Sequence, residues 1–126
     1  MILVDTSVWI DWSNDRTLAV AIELDRLLAA DDVATTDVVM AEVLQGARTQ
    51  ALFDDWLDIL DALHYLPASR ETWLNAAGNS FALMRKGMTT ALSDLVVAQV
   101  ALENDSPLFA TDTDFARVPG LKRHNF

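Results

Sequence analysis

The chain has 126 residues, a formal net charge of -10, 52% hydrophobic residues and no cysteine. This length suits one domain, residues 1–126, that buries a core without covalent crosslinks, and the lack of cysteine excludes disulfides, thiolate metal sites and thiol catalysis. The negative charge opposes nonspecific binding to nucleic acid, unless part of it belongs to a site for divalent cations. Because no signal-peptide pattern or membrane-length apolar run is present, we expect a cytoplasmic protein with no membrane partner.

The first predicted element is an apolar strand, residues 1–4, that ends at Asp5. A strand buried on both faces would place Asp5 at the carboxyl edge of a parallel sheet, where α/β folds have their ligand crevices. Thr6 or Ser7 is the expected cap of the next helix, residues 8–12. Capping that helix is the alternative role for Asp5 itself.

Hydrophobic spacing predicts the following elements. An amphipathic helix over residues 18–30 leads to a strand at 33–35, and a capped helix then reaches Gly46. This third helix is very apolar, yet it contains Glu42. A carboxylate is costly to bury there unless something pairs with it, and the alternative is that it extends to solvent.

The second half of the chain continues the alternation. A helix over residues 51–63 carries four aspartates on a face that we expect to be solvated, and a brief strand at 64–67 follows. A long helix is predicted from Ser69 to about residue 86. The next helix is so apolar that it should be central, and Asp94 stands at its start, where helix capping is the alternative role.

The next predicted strand, residues 108–111, ends on Asp112 and repeats the arrangement of Asp5, with Asp114 two residues further on. A final edge strand is predicted at residues 121–124. The order of elements is typical of an α/β fold, a three-layer domain with a mainly parallel central sheet and helices on both faces.

Five carboxylates therefore stand at element ends or in an apolar setting, namely Asp5, Glu42, Asp94, Asp112 and Asp114. If they share one sheet edge, their charges cannot all persist without a counter-ion. Because the set contains no histidine or cysteine, its oxygen ligands favour Mg²⁺ or Mn²⁺ over zinc. Ions held by carboxylates suit the hydrolysis of phosphodiester bonds.

Other chemistries fit the chain less well. His64 and His124 stand in no motif with a nucleophile, and the four glycines are scattered rather than gathered in a phosphate loop. The four tryptophans are expected to pack rather than to stack on bases. A phospho-acceptor receiver domain would need an early acidic pair and a late lysine at a strand end, which the strands do not offer.

The chain resembles the PIN-domain ribonucleases, specifically the VapC-like toxins of type II toxin–antitoxin pairs. The likeness covers essentially the whole length through four motifs in order: residues 1–10, Glu42 with Leu44 and Gly46, residues 93–98, and residues 111–115. The resemblance implies a Mg²⁺ pocket, with Mn²⁺ as the alternative ion. Its metal ligands would be Asp5, Glu42, Asp94 and Asp112, with Asp114 as a further catalytic residue and Thr6 or Ser7 as hydrogen-bonding support.

The resemblance also implies a function and partners. The expected activity is cleavage of RNA inside the chain, blocked by a cognate antitoxin protein, and the expected assemblies are a homodimer and a toxin–antitoxin hetero-oligomer. A non-catalytic PIN-like interaction module, in which the acids are structural, is the alternative. Two positions depart from the family pattern: Ala110 stands where threonine is frequent, and Gln99 where small residues are usual. Candidates for phosphate contact are Arg85, Lys86, Lys122 and Arg123.

Overall fold

The computed structural model describes residues 1–126 and contains four β-strands, six α-helices and one short 3₁₀ helix, Thr113–Arg117. In chain order the strands and α-helices are β1 (Ile2–Val4), α1 (Thr6–Asn14), α2 (Ala19–Ala29), β2 (Val33–Thr35), α3 (Asp37–Gln45), α4 (Gln50–Asp61), β3 (His64–Tyr65), α5 (Arg70–Arg85), α6 (Leu92–Glu103) and β4 (Leu108–Phe109). This order is the predicted alternation. Most boundaries lie within about two residues of the predicted ones, a normal spread for helix ends.

The four strands form one parallel sheet in the order β3-β2-β1-β4. At its centre, Leu3 of β1 pairs with Ala34 of β2 on one side and with Leu108 of β4 on the other. The predicted edge strand near the C-terminus is reduced to a single bridge between Leu108 and Arg123. The sheet and its helices have the predicted three-layer α/β arrangement, so the fold class is confirmed.

The core is densest around β1 and α6. Every residue of β1 is buried, and six residues of α6 are buried as well, as its apolar sequence predicted. Trp9, Trp12 and Trp56 pack edge to face or tilted, with ring centroids 5.6–6.1 Å apart. Trp73 is different, because it is 42% exposed on α5. Packing therefore accounts for three tryptophans and not for the fourth.

A hydrogen bond to a buried carboxylate attaches the C-terminal segment to α2. Glu23 is only 6% exposed and accepts hydrogen bonds from Arg26 and from His124 Nε2, the latter at 3.0 Å. The hydrogen bond from Arg26 is the main cause that holds the pKa of Glu23 below its ordinary value. The His124 backbone also donates to the Leu108 carbonyl at 2.8 Å. This contact therefore stabilises the end of the chain against β4.

None of the helices combines the length and the apolar character needed to cross a membrane.

Candidate functional site

Asp5 lies where β1 passes directly into α1, and it is 5% exposed. Its Oδ2 accepts hydrogen bonds from the backbone N–H of Ser7 at 3.3 Å and from Ser7 Oγ at 2.7 Å. Because α1 begins at Thr6, Asp5 is the helix cap, and the prediction of Thr6 or Ser7 in that role is wrong. With no loop between strand and helix, the aspartate is the side chain that reaches the free N–H groups of the first turn.

Glu42 projects from α3 toward the same turn. It is partly buried, and its Oε1 accepts a hydrogen bond from Thr6 Oγ1 at 3.0 Å. Thr6 follows Asp5 in the chain, so this bond holds Glu42 beside Asp5 rather than leaving it extended to solvent. Glu42 also lines two cavities, of about 350 and 520 Å³, so the carboxylate remains accessible from outside.

Asp94 is the third residue of α6. The helix begins at Leu92 with Ala91 as its cap, so the capping role considered for Asp94 is wrong. Burial, followed by the charges of the four neighbouring carboxylates Asp5, Asp112, Glu42 and Asp114, raises the pKa of Asp94 to about 6. The other four acids found in the sequence therefore all lie within electrostatic reach of Asp94.

Asp112 does not repeat the position of Asp5, because β4 ends at Phe109 and the chain leaves the sheet before reaching it. Arg123 Nη2 donates to the carbonyl oxygens of Ala110 and Asp112, at 3.0 and 3.2 Å, which holds this segment outside the ladder. Asp112 instead repeats the capping role of Asp5, since its Oδ1 accepts from the backbone N–H of Asp114 at 2.8 Å.

Ser7 connects the two aspartate-bearing segments. Besides donating to Asp5, its hydroxyl oxygen accepts from the Thr111 backbone N–H at 3.4 Å. This contact supports the segment that contains Ala110, where the family pattern would have a threonine hydroxyl. Thr6 and Ser7 both support the acids by hydrogen bonds, as the resemblance implied.

Gln99, the other departure, lies away from the acids. Its amide connects Asn79 on α5 with Glu103 one turn further along α6, at 3.5 and 3.2 Å. It is therefore a contact between two helices and not part of the wall around Asp94.

Arg117 is a functional candidate that the sequence patterns did not reveal, and it lies beside the acids. Its Nη2 lies 3.5 Å from Asp114 Oδ1, and its Nη1 donates to the Thr89 carbonyl at 3.1 Å. The available signal was the spacing of three residues between Asp114 and Arg117, which puts opposite charges on one side of a helical turn. Apart from this exposed pair, the acids are not matched by cations.

The acidic pocket, defined as Asp5, Glu42, Asp94, Asp112 and Asp114, has the donor chemistry of a Mg²⁺ site. All of its side-chain donor atoms are carboxylate oxygens, which hard cations such as Mg²⁺ prefer. No three acidic or histidine side chains are close enough to enclose an ion by themselves. A Mg²⁺ ion keeps several waters and needs only one or two direct carboxylates, so an ion in this pocket would be held partly through water.

Fold and pocket together define an α/β domain with clustered acids at the carboxyl edge of a parallel sheet. The family model of the PIN domain matches residues 2–121. The chain therefore belongs to the PIN-domain family.

The chain is also similar to two named ribonucleases and to a solved structure. Ribonuclease VapC5 of Mycobacterium tuberculosis is 30% identical, over 94% of this chain and 87% of that protein. Ribonuclease VapC11 of the same species is 29% identical, over 100% of this chain and 99% of that protein. Among solved structures, VapBC2 from Rickettsia felis, bound to a DNA fragment from its promoter, superposes with a TM-score of 0.80 at 23% identity, over 100% and 99% of the two chains.

Proposed function

We propose that this protein is a Mg²⁺-dependent endoribonuclease toxin that hydrolyses RNA phosphodiester bonds in the acidic pocket and is neutralised by a cognate antitoxin. The observation that carries the proposal is the convergence of the acids at one turn, where Thr6 holds Glu42 beside the buried Asp5 and Asp94 lies close enough to feel the charges of the other four. An arrangement of this kind costs stability unless a cation joins it. The relatives named as ribonucleases support the choice of reaction.

In this proposal the residues of the pocket divide into those that hold the ion and those that act on the water and the phosphate. Asp5, Glu42, Asp94 and Asp112 would hold the ion, directly or through water. Charge neutralisation at the scissile phosphate and activation of the attacking water would be the chemistry supplied by Mg²⁺ when bound. Asp114 would orient the water and accept its proton, and Arg117 beside it would limit the negative charge that meets the phosphate.

Hydrogen bonds of the chain itself position the acids. Thr6 directs Glu42, while Ser7 directs Asp5 and contacts the segment before Asp112. These supports leave one oxygen of the Asp5 and Glu42 side chains free of protein hydrogen bonds. Such preorganisation lets an ion bind without the free-energy cost of reordering the carboxylates.

Similar proteins and the surface of this chain support the proposed partners, which are an antitoxin, a second copy of the chain and RNA. A toxin–antitoxin complex from Klebsiella pneumoniae, which superposes with a TM-score of 0.69 at 23% identity, supports an antitoxin partner for this chain. Four large apolar side chains on α5 are 42–59% exposed, which supports a homodimer that covers this face: Trp73, Leu74, Phe81 and Met84. The net charge of -10 implies that RNA binds only where cations offset that charge.

A non-catalytic interaction module is the second candidate function. It is favoured by one observation, namely that Asp5 and Asp112 already serve as helix caps and so have structural roles. A cleavage assay distinguishes the two functions, because only the nuclease needs the negative charge of the carboxylates.

The test is the cleavage of a mixed RNA pool with Mg²⁺, with EDTA, and by the variant Asp5→Asn. Asparagine caps helices as well as aspartate, so the variant should fold, while losing the charge that the ion needs. We expect cutting only by the wild-type protein in Mg²⁺, and Asp58→Asn on the exposed face of α4 is the matched control that should cut normally. Equal cutting under all conditions refutes the metal site, and a wild-type protein that cuts no RNA favours the interaction module.

A further inference from the structure

A small cavity of about 140 Å³ opens beside the acidic pocket, between the end of α5, the start of α6 and the 3₁₀ helix. We call it the side cavity. Its wall includes Leu95, the residue after Asp94, and Arg117, which pairs with Asp114. The side cavity therefore lies next to the acidic pocket, so one bound substrate can occupy both.

The wall of the side cavity combines cations with apolar groups. Lys86 and Arg117 supply two positive charges, and the apolar contacts come from Leu83, Leu95 and Val118. Two cations beside one small cavity are notable in a chain that has 9 basic and 19 acidic residues. A ligand that matches this wall carries negative charge next to a flat apolar group.

Arg117 is held ready for such a ligand. Its guanidinium contacts the Thr89 carbonyl at 3.1 Å, the Thr90 hydroxyl at 3.5 Å and Asp114 at 3.5 Å, while its side chain stays 38% exposed. Lys86 ends α5 as its C-terminal cap and is exposed. Contacts within the protein thus orient the guanidinium of Arg117, whereas the exposed side chain of Lys86 can adjust its position to the ligand.

The other candidates for phosphate contact have different positions or tasks. Lys122 pairs with Asp105 at 2.8 Å, beyond the C-terminal end of α6 and so away from Asp94. Arg123 holds two carbonyl oxygens of the segment before the 3₁₀ helix, and Arg85 lies over the ring of Phe81. Lys86 is the member of the predicted set that faces a cavity beside the acids.

We propose that the side cavity binds one nucleotide of the RNA substrate next to the cleaved bond. Its phosphate would contact Lys86 and Arg117, and its base would lie against Leu83, Leu95 and Val118. Phosphate contacts of this kind fix the register of a nucleic acid, and apolar walls accept a base without demanding its sequence. The inference rests on the proposed nuclease function, because it locates a subsite of the same substrate.

The experiment measures how RNA affinity depends on salt. A fluorescent single-stranded RNA that the wild-type protein cuts is titrated into Asp5→Asn protein with and without Lys86→Gln, at several salt concentrations. Each lost phosphate contact lowers the slope of log affinity against log salt by about 0.7 for a single strand. Because Lys86 and Arg117 would contact the same phosphate, we expect this loss for Lys86→Gln combined with Arg117→Gln and a smaller loss for Lys86→Gln alone.

Lys122→Gln is the matched control, because it removes the same charge from a lysine that pairs with Asp105 away from the acids. We expect its slope to equal that of the parent protein. As a test of the apolar wall, RNAs with one abasic nucleotide near the cut should reveal a single position at which wild-type kcat/KM falls about tenfold, since the base loses its burial against Leu83, Leu95 and Val118.

The outcomes separate the two proposals. If wild-type protein cuts RNA with Mg²⁺ but Lys86→Gln matches Lys122→Gln in slope and affinity, the side cavity is not a nucleotide subsite and the nuclease function stands. If the wild-type protein neither cuts nor binds RNA, the proposed function fails and the subsite fails with it.

Discussion

Replacing Asp94 by asparagine should make the metal-free protein more stable, although it should abolish RNA cleavage. The pKa of Asp94 is raised to about 6 by burial and by four other carboxylates, from an ordinary value of 3.8. Since the folded protein holds the proton more tightly than the unfolded chain, the stabilising effect of that proton is complete below about pH 4. It is lost as the pH rises through about 6.

The size of the effect follows from this shift. At 1.36 kcal/mol per pKa unit the full cost of ionised Asp94 would be roughly 3 kcal/mol. Because the residue is only partly buried, solvent screening reduces this to about 1–2 kcal/mol. The positive N-terminus of α6 also stabilises ionised Asp94 by about 0.5 kcal/mol, and the Asp94→Asn variant loses this contribution. The expected net gain for Asp94→Asn is therefore about 1 kcal/mol at pH 7.5.

Thermal unfolding in EDTA measures the prediction. Unfolding entropy of about 2.1 cal/mol/K per residue converts 1 kcal/mol into a rise in Tm of about 4 °C for 126 residues. The difference should shrink as the pH falls from 7.5 to 5, and added Mg²⁺ should raise the Tm of the wild-type protein more than that of the variant. Asp58→Asn controls for the loss of one negative charge and should shift stability by less than about 0.5 kcal/mol. A variant Tm at or below that of the wild type in EDTA would refute the reasoning.

Two further substitutions test the supports of the fold and the pocket. Ser7→Ala leaves the buried Asp5 without its 2.7 Å hydroxyl bond, so we expect a loss of about 1–2 kcal/mol in urea unfolding and a roughly tenfold slower cleavage. Ser13→Ala on the exposed side of α1 should change neither, and equal effects of both changes would contradict the role of Ser7. Glu23→Gln should cost about 1–3 kcal/mol at pH 7, because the pKa of Glu23 is lowered by Arg26 and its charge stabilises the fold above about pH 4.5. That deficit should diminish at pH 3.5 while cleavage at pH 7 is retained, and a deficit independent of pH would show that the charge is not involved.

Local features of the chain were sufficient to predict most of the fold. The strand at residues 33–35 and the helix ending before Gly46 were found at their observed places, because periodicity and cap residues act over a few positions. The strand predicted at residues 108–111 was too long, because it ends at Phe109 and the Ala110 and Asp112 carbonyls accept hydrogen bonds from Arg123 instead. No pattern of neighbouring residues encodes that contact.

For the acidic pocket, the sequence by itself determined which residues carry the charge. Two acids after apolar strands and one inside an apolar helix are unusual enough to stand out from the hydrophobic pattern alone. Only the tertiary structure decided their surroundings: Asp94 is third in its helix rather than a cap, and Arg117 stands beside Asp114. The reason is physical, because hydrophobic and charge patterns are properties of a segment, whereas distances between segments depend on how the whole chain packs. The side cavity shared by Lys86 and Arg117 exists only because α5 and the 3₁₀ helix meet there.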